Sequence, residues 1–324
     1  MVKVVVAIDV GATNLRVGIF TINGELIRKE VVRTPSSGGV LAVANKATEL
    51  IKELLRGVCN YELVGIGVGS IGPLDIKRGD VVNAPNNPLR SFKLREPLMS
   101  EFGVNTYVVN DCMAGVWGEY LVGAGRGRRN VVYLTISTGI GAGVVVDGHL
   151  LVGKDGNAHE VGHLVIDYKG GIKCGCGGYG HWEGIASGAA IPKTAKSLTK
   201  AYVGKASEAY ELAREGKLDP PTLFRLWRLG DPFAKYVINE LAEVNAAGIA
   251  SIINAYDPEV LTVGGSVVLN NPDFLDVIKP KVGRYLVNRP AEVMITPLGH
   301  DVVLIGAAYI AIKPPDTIKE IQSS

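Results

Sequence analysis

The sequence predicts an α/β protein of two related lobes, each built on a mixed β-sheet flanked by helices, with a cleft between them. Three observations carry this. A phrase of strand, Gly turn, strand, Asx-Gly hairpin and strand opens the chain and returns at "VVYLTISTGIGAGVVVDGHLLVG". Between and after the two copies, β-type runs alternate with helical spacing. The length of 324 residues, 47% of them hydrophobic, supports a core in each lobe.

The first copy holds three β runs, "VKVVVAIDV", "LRVGIFTI" and "ELIRKEVVRT", with Asn23-Gly24 as a two-residue hairpin signal. Val40 to Arg56 follows as a helix, with Val40, Ala44, Ala47, Ile51, Leu54 and Leu55 on one face. "LVGIGVGS" and "TYVVND" read as buried strands ending in polar residues, and "CMAGVWGEYL" as a helix. In the second copy Asp147-Gly148 makes the hairpin. "SLTKAYVGKASEAYELAREGKL" and "DPFAKYVINELAEVNAAGIASIINAY" read as helices, the second stopped by Asp257-Pro258. "VVLIGAAYIAI" is a further helix, and the tail "KPPDTIKEIQSS" is expected to fray. The smaller lobe then covers residues 1–110, joined by the C-terminal helix at about 302–324, and the larger covers 111–301.

Charge excludes some partners. Lys+Arg number 34 against 32 Asp+Glu, a formal charge of +2, and "GRGRR" at 125–129 reads as an exposed loop, so nucleic acid is not expected. The N-terminal apolar run is too short to span a bilayer and has no cleavage-site pattern, which places the expected protein in the cytoplasm, off the membrane. Four cysteines make no disulfide framework; Cys59 and Cys112 read as buried small side chains, leaving the 174/176 pair. Gln322 is the only glutamine, and amide depletion points to a hot-living source.

Each Gly turn alone could be a plain hairpin. Amides of glycine turns can also hold phosphate, and the recurrence of the turn, with Asp9 at the first strand's end, favours a nucleotide shared by both lobes. "DVGATNLRVG" lacks the Lys-Ser/Thr of the Walker loop, and a strand follows where a dinucleotide fingerprint requires a helix.

"DVGATNLRVG", "NDCMAG", "TISTGIGAGVVVDG", "EVGH", "CGCGGYGHWE" and "LTVGGSV" resemble, in order and spacing, the motifs of the ROK family (repressors, open reading frames, kinases) over nearly the whole length. The resemblance implies the actin-like fold of sugar kinases and Hsp70 ATPases, and an ATP- and Mg²⁺-dependent kinase making a hexose 6-phosphate, glucose being the first choice. Mannose, fructose or N-acetylmannosamine are alternative sugars, and polyphosphate an alternative donor. A sugar-sensing repressor would need a DNA-binding domain ahead of Asp9, where no room is expected; an actin-like ATPase would need neither "EVGH" nor the cysteine segment. A homodimer or higher oligomer is expected from family habit and the long apolar helix.

The resemblance also assigns residues. Asp111 would be the base for the sugar's 6-hydroxyl, with Asn110 bonding the sugar; the plain alternative for Asp111 is a helix N-cap. Asp9 would bind Mg²⁺ directly or through water, or else satisfy turn amides. Gly11, Thr13 and Asn14 on the first turn, and Thr138, Gly139 and Gly141 on the second, would hold phosphate. Gly264 and Gly265 would lie on the adenosine side, or form a plain turn. Ser70, Gly72, Asn86 and Asp111 would make one sugar wall, and Glu160, His163 and Glu183 the other. The family continues its Pro-Asn segment with an aromatic, where this chain reads "PNNPLRSFKL".

"KCGCGGYGHWE" could be a metal site, a redox pair or a tight turn. The C-x-x-C redox spacing is absent. The family pattern is a His in "ExGH" followed by CxCGxxGC; His163, Cys174 and Cys176 match, and His181 stands at the third cysteine position. A His₂Cys₂ set suits Zn²⁺, and four protein ligands leave no open position, so the zinc would be structural and would fix two sugar contacts.

Overall fold

A computed structural model describes residues 1–84 and 87–323. In chain order come β1 (Val2–Val10), β2 (Asn14–Thr21), β3 (Leu26–Arg33), α1 (Ala42–Arg56), β4 (Tyr61–Ser70), β5 (Leu74–Asp75), β6 (Asp80–Val81), α2 (Arg95–Phe102), β7 (Thr106–Asn110) and α3 (Asp111–Val122). Then follow β8 (Val131–Ile136), β9 (Ile140–Val146), β10 (His149–Leu150), α4 (Trp182–Ala186), α5 (Ile191–Leu198), α6 (Glu208–Arg214), α7 (Pro220–Arg228) and α8 (Pro232–Tyr256). The last are β11 (Val260–Gly264), α9 (Ser266–Leu269), α10 (Asp273–Val282), β12 (Glu292–Ile295), α11 (Val302–Ile312) and α12 (Asp316–Ser323). The chain forms two compact units: Met1–Tyr133 with Gly143–His159 and Asp301–Ser324, and Leu134–Ala142 with Glu160–His300.

In the first unit a five-stranded sheet runs β3-β2-β1-β4-β7. β1 is antiparallel to β2 and parallel to β4, which is parallel to β7. A central strand covered on both faces must be apolar throughout, which is why β1 reads as an almost unbroken hydrophobic run. Val4, Val6, Ile8 and Val10 pack with Val43, Ala47, Ile51 and Leu54 of α1; Val5 and Ala7 pack with Phe20 and with Leu304, Ala307 and Ala308 of α11. The alternating glycines of β4 have a packing cause. At Gly67 a Cβ would run into the Ala307 carbonyl of α11, and at Gly69 it would sit 2.8 Å from the Val303 side chain. α11 therefore lies directly on the sheet.

The structure corrects several local expectations. Val40 lies outside α1 and is 54% exposed; Val43 and Leu50 complete the buried face. Gly24 alone takes positive φ, at 87°, so the first hairpin is not a two-residue turn: β2 ends at Thr21 and β3 starts at Leu26. The second hairpin does have both turn residues at positive φ, Asp147 at 52° and Gly148 at 83°, though β10 is only two residues long. The expected helix over 197–218 is interrupted: residues 199–207 lie outside α5 and α6, and Ser207 starts α6 by accepting the Tyr210 amide. Cys59 is exposed, while Cys112 is buried as expected.

The tail is not frayed. Near the end of α12, Gln322 is only 1% exposed, its side-chain amide bonded to Val108 and Ile76.

A second five-stranded sheet runs β10-β9-β8-β11-β12. In the second unit α8 is the central helix. Asp231 accepts the Ala234 amide at its N-terminus, Pro232 occupies the first turn, and Asp257 at φ 45° ends it. Phe233, Val237, Leu241, Ile249 and Ile253 form its buried stripe. Among the described residues no helix is long and apolar enough to cross a membrane.

Candidate active site and metal centre

In the first unit the sheet register aligns the candidate residues. Val10 pairs with Ser70, and Ser70 with Asn110, so the C-terminal ends of three parallel strands bring Asp9, Ser70 and Asn110-Asp111 to one edge. Open parallel sheets present ligand-binding groups at this edge, because each strand there gives way to a loop or a helix N-terminus.

Asp9 is 5% exposed, and Arg16, its cross-strand partner, donates to its Oδ2 at 2.6 Å. Burial raises the Asp9 carboxyl above the usual range, and the Arg16 charge and hydrogen bond oppose that rise. Arg16 escaped the sequence reading, although the hairpin register that sets it opposite Asp9 follows from the two strands. Thr34 escaped too: its hydroxyl donates to the Gly11 carbonyl at 2.7 Å and its amide to the Thr13 carbonyl at 2.9 Å, bolting the first Gly turn from behind. Gly11 and Asn14 are half-buried and Thr13 is exposed.

The helix cap falls on Asn110 rather than Asp111. Asn110 Oδ1 accepts the Cys112 amide at 2.8 Å, and Asp111, the first residue of α3, also accepts that amide, at 2.8 Å. Ser70 is fully buried, with its hydroxyl donating to the Ile71 carbonyl at 3.1 Å. Gly72 lies beside the Asn110 amide nitrogen, 3.6 Å from where a Cβ would stand. Asn86 lies outside the described residues.

In the second unit, Thr138 is exposed and Gly139 half-buried on the turn between β8 and β9, while Gly141, expected on that turn, is half-buried inside β9. Ser137 donates its amide to the Gly139 carbonyl at 2.9 Å, closing the turn. Gly264 ends β11 in full burial, and Gly265 precedes α9 at φ 86°, where a Cβ would stand 2.5 Å from the Ile136 carbonyl. Only glycine fits there. The Ser266 and Ser137 hydroxyls meet at 3.0 Å, joining this segment to the second turn.

His163, Cys174, Cys176 and His181 converge, their ligand atoms all within 4.8 Å of one another. The two Nδ1 atoms are 3.3 Å apart, Cys176 Sγ is 3.2 Å from His181 Nδ1, and Cys174 Sγ is 4.0 Å from His163 Nδ1. A tetrahedral zinc with bonds of about 2.0 Å to nitrogen and 2.3 Å to sulfur has edges of about 3.3–3.8 Å, so this donor set fits the ion with small movements. The glycines explain the loop: Gly177 at φ 98° turns the chain between the cysteines and Tyr179, and Gly180 at φ 68° packs against the Asp167 carbonyl. His163 Nε2 faces Glu160 Oε2 at 3.7 Å, the opposite side of the ring from the cluster. Cys174 Sγ lies 3.9 Å from Glu183 Oε1, while Glu183 Oε2 accepts the Ile140 amide at 2.9 Å. Burial, with the nearby Cys176 and Glu183, pushes the Cys174 thiol up.

Comparison with known proteins gives the family and the fold. The model of the ROK family matches residues 5–314. The chain is 43% identical to the glucokinase of Pyrobaculum calidifontis, across 97% of this chain and 96% of that one. A ROK hexokinase structure from Thermus thermophilus matches with a TM-score of 0.80 at 34% identity, covering 95% of this chain and 97% of that chain. A ROK family glucokinase from Streptomyces griseus, in complex with glucose and AMPPNP, matches with a TM-score of 0.76 at 31% identity, covering 95% of this chain and 99% of that chain. The fold is the α/β, actin-like one of these sugar kinases. The chain belongs to the ROK family.

Proposed function

We propose that the protein is an ATP-dependent glucokinase, transferring the γ-phosphoryl group to the 6-hydroxyl of glucose. The observation that carries this reading is the alignment of Asp9, Ser70 and Asn110-Asp111 at one sheet edge, in a chain 43% identical to a glucokinase. Asp111, half-buried at the start of α3, accepts the hydroxyl proton as the oxygen attacks, and its bond to the Cys112 amide fixes its orientation. Asn110 presents its amide nitrogen near Gly72 to the sugar, since its oxygen is engaged by the cap. A Mg²⁺ ion held by Asp9, directly or through water, would supply charge neutralisation at the phosphates. Arg16 keeps the Asp9 carboxylate paired beforehand.

Glu160, Glu183 and the Nε2 side of His163 offer acceptors and a donor for sugar hydroxyls. A zinc ion held by His163, Cys174, Cys176 and His181 would be structural, since a closed tetrahedron takes no substrate. A homodimer or higher oligomer in the cytoplasm completes the reading, supported by family habit; the apolar stripe of α8 is buried inside the fold.

A coupled assay across glucose, mannose, fructose and N-acetylmannosamine, with ATP, ADP and polyphosphate as donors, tests it. Glucose with ATP should give the highest kcat/KM, and Asp111→Ala should lower kcat by about 10²- to 10⁴-fold. Near-normal turnover by Asp111→Ala would remove the base assignment; phosphorylation of no sugar by the wild type would return the protein to the binding class.

A further inference from the structure

The second Gly turn is held from one side. The Ile140 amide donates to Glu183 Oε2 at 2.9 Å; the Gly188 amide donates to the Ser137 carbonyl at 2.7 Å and the Ala189 amide to the Thr138 carbonyl at 3.2 Å. All three partners come from α4 and the segment just after it. The fit is tight: a Cβ at Gly139 would stand 2.5 Å from Glu183 Oε2, and one at Gly188 would stand 2.8 Å from the Ser137 carbonyl.

α4 is itself immobilised. Trp182 is fully buried against Gly248, and its indole N–H donates to Asn245 Oδ1 of α8 at 2.9 Å. The short helix is a fixed base, and the turn is moulded onto it.

Peptide planarity gives this base a direction. In a trans peptide the carbonyl and the following N–H point opposite ways. With the Ser137 and Thr138 carbonyls drawn toward α4, the Thr138 and Gly139 amides are turned away from it, where they can meet an anion. The Ile140 amide points back and is neutralised by Glu183.

We propose that Glu183 is a positioning residue for nucleotide binding, separate from any contact it makes with sugar: its Oε2 fixes the second turn so that the Thr138 and Gly139 amides face phosphate. This rests on the nucleotide reading above and deepens it. Glu183→Gln keeps a carbonyl oxygen for the Ile140 amide, whereas Glu183→Ala leaves that amide without its acceptor. Gly188→Ala pushes the Ser137 carbonyl off α4 and touches neither the sugar candidates nor the metal ligands.

The experiment is calorimetric titration of Mg²⁺ and AMPPNP into the full chain without sugar, followed by glucose titration, with zinc content and thermal midpoint recorded for every variant. Glu183→Ala and Gly188→Ala should each weaken AMPPNP by about tenfold or more, the scale of losing one charge-assisted hydrogen bond. Glu183→Gln should stay within about threefold of wild type for AMPPNP while weakening glucose, and Gly188→Ala should leave glucose affinity unchanged. Equal AMPPNP affinity in Glu183→Ala and Glu183→Gln overturns the positioning role alone, as does wild-type affinity in Gly188→Ala. Failure of the wild type to bind AMPPNP overturns the nucleotide reading and this role with it.

Discussion

Gln322 brackets Val108. Its Oε1 accepts the Val108 amide at 3.1 Å and its Nε2 donates to the Val108 carbonyl at 2.6 Å, so one side chain supplies the pair of bonds that a neighbouring strand would give. β7 is the edge strand of its sheet, and Gln322 closes that edge two residues before Asn110. The same amide donates to the Ile76 carbonyl at 2.8 Å, and Arg95 donates to the Gln322 backbone carbonyl.

Gln322→Ala should lower unfolding free energy by about 2–3 kcal/mol, the worth of three buried side-chain hydrogen bonds at about 1 kcal/mol each. Gln322→Glu should cost more, because an ionised carboxylate would face the Ile76 and Val108 carbonyls. Denaturant unfolding checks both; a midpoint unchanged in Gln322→Ala would show that α12 docks without this contact.

The tail shows where the sequence stopped being readable. "KPPDTIKEIQSS" looks polar and terminal, and its anchor is a single polar side chain meeting a strand 214 residues away, a contact with no local signal. Apolar continuity along β1 and the polar strand ends at Asp9 and Asn110-Asp111 were legible because each depends on near neighbours in sequence. The glycine alternation of β4 was visible, but its cause, the approach of α11, was not. His163, Cys174, Cys176 and His181 could be grouped through the family resemblance, whereas Arg16, Thr34 and the Glu183–Ile140 bond emerge only from register and packing. The break between α5 and α6 was missed because Ser207 had to be weighed as a cap against a run of good helix formers.

Protein purified without added metal should carry about one equivalent of zinc per chain. His181→Cys should retain it, since a thiolate at that point completes a Cys₃His set of the same tetrahedral kind. His181→Ala should lose it and unfold at a lower temperature. Elemental analysis beside thermal unfolding reads both effects. A metal-free wild type, unchanged in midpoint by chelator, would reduce the four converging side chains to a packing cluster.

His159 supplies a pH signature. Its ring is 2% exposed, Nε2–H donates to the Gly156 carbonyl at 3.1 Å, and burial lowers its pKa from 6.5 to about 4. The unfolded chain therefore takes up a proton as pH falls through 6.5, while the folded chain stays neutral down to about 4. Proton uptake by the unfolded state favours unfolding, so this residue's contribution is complete above pH 6.5 and declines below it. The span between the two values corresponds to a loss of roughly 3 kcal/mol, reached by about pH 4. Asp9, whose carboxyl burial raises, works in the opposite sense at acid pH, and its share cancels in a comparison of two variants. His159→Gln keeps an N–H for the Gly156 carbonyl and removes the titration. The difference in unfolding free energy between wild type and His159→Gln should be flat above pH 6.5, fall steadily below it and level off near pH 4. A difference independent of pH across that window would mean that His159 is protonated in the fold, and that the Gly156 carbonyl and its surroundings tolerate the charge.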